Sequence, residues 1–294
     1  MATVMGEEER IIDSERAIAM TMSKEKKKRR IIRNTLRLAT CSDLRMGILA
    51  SLGERKKALR ELREEREISS TTAIHALRDL EKDNLVIEDE NRDYALTKIG
   101  EVIALKLRDF VDVIRVLKKH EDFWLTHDLR GIPPHLLGKI GDLSNSILIA
   151  DMPADLFKSH TTSLQLLETA NEVKSIYPIF HLKYLEIIEE LVRRKRIDVE
   201  LVVTNEVLDN IVGLVETEGD FKNFLQEPNF ALFAVDEDMK IALTLTDSVF
   251  YLGLFADNGT YDYNRALISD DKRALFWGRE LYEHYRQQSE MVDL

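Results

Sequence analysis

Ser70, Thr71, His75, Arg78 and Lys82 follow one another at intervals of one, four, three and four residues. On an α-helix that spacing gathers two hydroxyls, an imidazole and two cations on a single face. Such groups hydrogen-bond base edges and phosphates in the major groove of DNA. The other side of the same stretch carries Ala73, Ile74, Leu77 and Leu80 at helical spacing, so the helix has one face to bury and one to present. Ser69 suits the N-cap, and Asp83-Asn84 closes the helix before a β-branched run. The stretch reads as the second helix of a helix-turn-helix. Ser70, Thr71, His75 and Arg78 are assigned to base edges, and Thr72, Lys82 and Arg92 to phosphate.

The neighbouring elements must hold that helix. From Ser42 or Asp43 as cap, Leu44, Ile48, Leu49 and Leu52 form an apolar stripe that stops at Gly53, read as a left-handed cap. A helix over Lys57 to Arg66 brings Leu59 and Leu62, and the turn Glu67-Ile68 leads into the candidate reading helix. Behind it, Leu85 to Glu88 and Tyr94 to Leu96 predict two short strands around residues 89–93. Three helices and a β-hairpin make a winged helix-turn-helix, with the hairpin tip as the wing. Arg92 lies there among Asp89, Glu90 and Asp93, and carboxylates repel phosphate, so Arg92 is expected to contact the DNA backbone or nothing. Ahead of the domain, Lys24, Lys26 to Arg30, Arg33 and Arg37 read either as a solvated charged segment or as a phosphate- or minor-groove-contacting arm.

Charge divides along the chain of 294 residues, whose overall net charge is -11. Residues 24–99 hold 19 Lys and Arg against 14 Asp and Glu, whereas residues 100–294 hold 21 against 34. The first part suits phosphate and the second does not. The expected organisation is a flexible tail and basic arm over 1–41, a winged helix-turn-helix over 42–97, a linker or dimerisation helix over 98–120 and a regulatory domain over 121–294. No apolar run reaches bilayer length and no signal segment is seen, which predicts a cytoplasmic protein without membrane partners. The single cysteine, Cys41, forms no internal disulfide and is expected to be a small buried side chain.

Thr97 can cap a long helix to about Lys119, along which Ile103, Leu107, Phe110, Ile114 and Leu117 keep the rhythm of a coiled-coil seam. Val102, Leu105, Val113 and Val116 form a second apolar stripe. Two apolar faces on one connecting helix predict a homodimer; the other reading is a helix sandwiched between two domains of one chain. Beyond His120, strands alternate with helices: Ser146 to Ala150, Val173 to Phe180, Val199 to Val203, Phe230 to Val235, Ile241 to Thr246 and Val249 to Phe255 are strands. Helices are expected through Leu156 and Phe157, over Leu164 to Leu167, His181 to Arg196, Val207 to Val215, Phe221 to Leu225 and Asp271 to Arg286. The fold class is α/β, α+β overall, with a mixed second domain.

Chemistry was sought there and little found. His181-Leu182-Lys183 is similar to the HxK of phospholipase D enzymes, but Ile188 stands where that motif has aspartate, and no second copy exists. His120, His127 and His135 lie too far apart for a compact metal motif, and no Gly-rich phosphate cradle occurs. No enzyme, cofactor or metal is expected. The cations Arg193 to Arg196 suit the end of a helix.

Leu77-x-x-Leu80-x-x-x-x-Leu85-Val86, followed by Tyr94-x-Leu96-Thr97-x-x-Gly100, resembles winged-helix repressors of the ArsR and MarR kind. Phe123-Trp124, His127-Asp128-Leu129, Ile132-Pro133, Leu136-Leu137 and Ile140-Gly141 resemble a segment of the methanogenesis-regulatory-protein family. That resemblance implies an archaeal, methanogen transcriptional regulator, possessing a phospholipase-D-like effector domain distantly similar to that of TrmB-type regulators and linked to one-carbon or methanogenesis metabolism. The resemblance does not set the effector; the reading adopted is a homodimer on a near-palindromic double-stranded operator, controlled by an unidentified small-molecule effector that changes the angle between the DNA heads through the long helix. Trp124, His127, Tyr177, His181 and Tyr251 are the candidate ligand contacts. The rival readings are a DNA-binding protein whose second domain only dimerises or recruits a protein, and a phospholipase-D-like phosphodiesterase.

Overall fold

Short helices with strong caps build the N-terminal unit. The computed structural model describes residues 22, 24–151, 158–217 and 223–292. Helix α1 covers residues 24–40, where the sequence reads as a loose arm; Lys, Arg and Leu are strong helix formers, and Glu25 lies one turn from Arg29. The Ser42 hydroxyl accepts from Arg45 N and opens α2 (Asp43–Leu52). β1 (Lys57–Ala58), α3 (Leu59–Arg66), α4 (Ser70–Lys82), β2 (Val86–Glu88) and β3 (Asp93–Leu96) follow. The strands form an antiparallel sheet in the order β1-β3-β2. Ile48, Leu49, Leu62, Leu77, Leu80 and Leu85 are fully buried between helices and sheet. This is a winged helix-turn-helix.

Three local expectations are corrected. Lys57-Ala58 pairs with Tyr94 and Asp93 as a strand instead of starting α3, because the Lys57 ammonium is buried between Glu54 and Glu65 and fixes that residue against the sheet. Gly53 is right-handed, and the left-handed positions are Glu67, Asn84 and Arg92. Cys41, just past the end of α1, is exposed.

α5 (Lys98–Lys119) begins where the Thr97 hydroxyl accepts from Gly100 N at 3.0 Å and donates to Asn84 O at 2.6 Å. A Cβ on Gly100 would stand 1.9 Å from Leu85 O, so only glycine lets the first turn of α5 lie on the backbone entering β2. The chain divides into two compact units at Phe110 and Val111, within α5.

In the second unit come α6 (Glu121–Thr126), α7 (Pro134–Leu137), a 3-10 turn (Ile140–Leu143), β4 (Ile147–Ala150), α8 (Lys158–Glu168), β5 (Glu172–Tyr177), α9 (Leu182–Glu190), β6 (Asp198–Thr204) and α10 (Asn205–Thr217). They are followed by β7 (Phe230–Val235), β8 (Ile241–Thr246), β9 (Phe250–Phe255), β10 (Tyr261–Ser269), α11 (Lys272–Gln288) and β11 (Glu290–Met291). One eight-stranded sheet runs β11-β7-β6-β5-β8-β9-β10-β4, with β5, β6 and β7 parallel and the other pairs antiparallel. β6 shows why both faces are covered. Val199, Leu201 and Val203 join Tyr184, Leu185, Ile188 and Val207 on one side, while Val202 joins Trp277 and Leu281 on the other.

The predicted helix His181 to Arg196 ends as α9 at Glu190, continues as a π-turn over Leu191–Lys195, and stops at left-handed Arg196. β10 has no counterpart in the sequence reading. The expected helix through Leu156 and Phe157 lies outside the described residues, as does Phe221, and residues 223–225 are helical. No helix among the described residues is long and apolar enough to cross a membrane. Gly100→Ala is expected to destabilise the N-terminal unit by about 2–4 kcal/mol in urea denaturation, since the clash is with backbone. A denaturation midpoint equal to that of the parent would contradict the close approach.

Candidate nucleic-acid interface

The start of α4 is held by Ser69, whose hydroxyl accepts from Thr72 N at 3.1 Å and lies 2.8 Å from the Thr72 hydroxyl. Thr72 is therefore engaged in the cap as well as exposed. Ala73, Ala76, Leu77 and Leu80 are buried. On the opposite face Thr71, His75, Arg78 and Lys82 are exposed and Ser70 is half-buried. Asp79 lies 3.8 Å from Lys82 Nζ and 3.9 Å from Arg45 Nη1, tying α4 to α2 at the edge of that face.

At the wing, Lys56 draws in two of the carboxylates. Asp89 accepts from Asn91 N, from Asp93 N and from Lys56 Nζ at 2.9 Å, and Lys56 also lies 3.7 Å from Asp93. The Lys56 hydrogen bond, aided by the two backbone donors, holds the Asp89 carboxyl below its ordinary value. Two of the three carboxylates around Arg92 are thus turned to internal use, and Arg92 sits exposed at the turn with φ 62°. Lys56 was missed in the sequence. Its role follows from the pairing of β1 with β3, which no local pattern announces.

Behind α4, the Glu61 carboxylate accepts from Arg55 Nη2 at 2.7 Å and from Ala58 N at 3.0 Å at the N-terminus of α3. Arg55 first, then the Ala58 amide, lower its pKa to about 2. α1 adds a basic side: Lys26, Arg29, Arg30, Arg33 and Arg37 are exposed. Its other side leaves Ile31, Ile32 and Leu36 exposed, and with Ile103, Leu107 and Phe110 these line an apolar groove of about 560 Å³ within the N-terminal unit.

The five seam residues do not form one exposed stripe. Leu107 is buried in the N-terminal core, Ile103 and Leu117 are half-buried, and only Phe110 (57% exposed) and Ile114 (45%) are open. The cause is that α5 turns different faces to its own unit's core before and after Phe110. Ala104 and Leu107 are buried in the first stretch, Asp112 and Val116 in the second. Buried Asp112 pairs with Arg115 and, at 2.8 Å, with Arg273 of α11, which also reaches Asp142.

Of the five proposed ligand contacts, two stand in the core. Trp124 donates to Val116 O, and His127 is enclosed between Phe123 O and Asp262. Tyr177 and Tyr251 instead line one small cavity together with Tyr184, Tyr261 and Tyr263. His181 occupies the N-cap position of α9, three residues before Tyr184, and its side chain makes no cap hydrogen bond. Arg193, Arg194 and Arg196 pair with Glu189, Glu190 and Glu227, so that basic cluster is internally neutralised.

Residues 33–115 match the family described as Methanogenesis regulatory protein FilR1, N-terminal domain, and residues 156–288 match its middle domain. The chain is 30% identical over 256 residues to Methanogenesis regulatory protein FilR1 of Methanothrix harundinacea. That alignment covers 86% of this chain and 56% of the relative, so the chain spans little more than half the relative's length. Among solved structures, TrmBL2, an archaeal chromatin protein, aligns with TM-score 0.40 at 16% identity over 81% of this chain and 88% of its own. The phospholipase D family member Nuc from Salmonella typhimurium aligns with TM-score 0.37 at 10% identity over 51% of this chain and all of its own.

Because Glu61 is more acidic in the folded state than when unfolded, its contribution to stability is complete above the unfolded value and is lost as pH falls from about 5 toward 2. Glu61→Gln should flatten this part of the acid-unfolding curve followed by circular dichroism. An unchanged curve would remove the Arg55-Glu61 pair from the acid response.

Proposed function

The chain belongs to the FilR1 family of methanogenesis regulatory proteins, and on that premise we propose that it is a DNA-binding transcriptional regulator whose α4 reads the major groove. One observation carries the reading: a capped helix that buries Ala73, Ala76, Leu77 and Leu80 holds Thr71, His75, Arg78 and Lys82 out to solvent, with Ser70 at their N-terminal edge. Ser70, Thr71, His75 and Arg78 meet base edges. Lys82, Thr72, Arg92 at the wing and the basic side of α1 meet phosphate. The wing takes a backbone contact, as suits a single exposed arginine at a tight turn.

The protein acts as a homodimer. The α1–α5 groove is an apolar surface of a kind that soluble monomers seldom leave open, and a second copy is its occupant. This revises the interface from the five-residue seam to Ile31, Ile32, Leu36, Ile103 and Phe110. A two-fold dimer presents two α4 helices about 34 Å apart on a near-palindromic operator. The C-terminal unit senses a small effector, and α5, continuous through both units and clamped by Asp112 to Arg273, carries the response.

Catalysis is not part of the reading. Lys183 is exposed and pairs with Glu186 at 2.9 Å, and Ile188 replaces the acid that the HxK chemistry needs. Among the described residues no His, Cys, Asp and Glu group could hold a metal. The protein needs no cofactor, and its site of action is the cytoplasm.

Arg78→Ala should weaken binding to a selected operator by about 1–3 kcal/mol and relax preference at one base position, measured by fluorescence anisotropy on operator variants. Equal loss on every sequence would demote Arg78 to a phosphate contact. Ile32→Glu should convert the dimer to monomer in sedimentation at micromolar concentration. A parent chain that sediments as a monomer would contradict the dimer.

A further inference from the structure

Five of the chain's eight tyrosines converge on one cavity of the C-terminal unit, and no phenylalanine among the described residues lines it. Tyr177 ends β5, Tyr251 lies in β9, Tyr261 and Tyr263 in β10, and Tyr184 in α9; Ala242, Thr244, Ser163 and Ile179 complete the wall. Tyr177 and Tyr184 stack with centroids 4.0 Å apart. Tyr261 crosses β9 at Gly253, where a Cβ would stand 2.1 Å from its hydroxyl. Phenylalanine would fill such a site with the same area and without desolvating a hydroxyl. The selection of tyrosine therefore indicates hydrogen bonding.

Part of that demand is internal. Tyr184 donates to Ser175, which donates to Leu243 O; the Tyr251 hydroxyl lies 3.3 Å from Ser159 Oγ and is also hydrogen-bonded to Ser163 and to the Tyr261 hydroxyl, so a guest meets Tyr251 and Tyr261 as a bonded pair. Space is left over, about 30 Å³, where a single water needs roughly 10–15 Å³. Among the described residues no charged side chain lines the wall. The neighbouring Asp151 carboxylate, held by Ser159 N, bears on Tyr251 from outside. Burial pushes the phenols of Tyr177, Tyr184, Tyr251 and Tyr261 upward, so they stay neutral and offer both donor and acceptor.

We infer that this cavity is a binding site for a neutral molecule of two to four non-hydrogen atoms bearing one hydroxyl or carbonyl group, held by the Tyr251 and Tyr261 hydroxyls between aromatic walls. Its volume sets the size, and the described wall residues offer an ion no counter-charge to replace its hydration, which favours a neutral guest. So few atoms bind in the millimolar range. The inference rests on the reading of the C-terminal unit as the sensing one.

The test uses the full chain with carbon-13 in the tyrosine rings, titrated with methanol, ethanol and formamide and, as controls, acetate, methylammonium and 1-butanol. The neutral small probes should produce saturable shifts confined to the tyrosines of the cavity, and the controls none. Tyr261→Phe, which keeps the shape, should weaken binding about 3- to 10-fold. Ala242→Val, which fills the space, should abolish it; if that variant does not fold, Tyr261→Phe decides. Absence of saturation, an equal response to acetate, or affinity unchanged in Tyr261→Phe overturns the site. Operator affinity measured in parallel separates the two readings. Saturable binding without any change in operator affinity retains the cavity and overturns the sensing role, whereas intact operator binding with silent tyrosines overturns the cavity alone.

Discussion

The N-terminal unit depends on Ala73, Ala76, Leu77 and Leu80 leaving water together against Ile48, Leu49 and Leu62. Each buried leucine contributes about 1.5–3 kcal/mol, more than any single contact on the polar face of α4. Successive helical residues are about 100° apart, so burying those four positions also determines which side chains meet solvent. The orientation of Arg78 and His75 is a consequence of packing on the far side of their helix. The Ser69 cap fixes where the helix starts, and the Gly100 approach to Leu85 fixes where the hairpin behind it begins.

Electrostatics divides the labour in the same unit. Asp89, Glu61 and Glu65 are occupied by Lys56, Arg55 and Lys57, so these carboxylates serve the scaffold. The exposed pairs of Arg55 and Lys56 add little to stability. Their importance lies in which charges remain free: Arg78, Arg92 and the basic side of α1 project outward. The acidic excess of the chain lies after residue 100, in the unit with the eight-stranded sheet.

What could be read in advance was local and periodic. Ser69 to Asn84 carries cap, stripe and stop within one stretch, β7 is a continuous apolar run and β8 is apolar but for Thr244 and Thr246, so these elements were legible. β10 was not: Tyr-Asp-Tyr-Asn-Arg opens it with polar residues, and its pairing with β9 is irregular between Tyr261 and Ala266. With β10 unseen, Tyr261 and Tyr263 could not be grouped with Tyr177 and Tyr251. Trp124 and His127 were chosen for their polar tips, but those tips bind backbone and Asp262 inside the core. The two-residue β1 escaped notice because a buried lysine looks like surface. The seam on α5 looked continuous because a heptad count does not register that the helix passes from one core to another.

The central claim is that α4 reads DNA from a two-fold dimer. Hydroxyl-radical footprinting of the full chain on an operator selected from random sequence tests it most directly. The account predicts two protected patches on one face of the duplex, centred about 34 Å apart and related by a dyad. A single unpaired patch, or protection that does not depend on sequence, would contradict it.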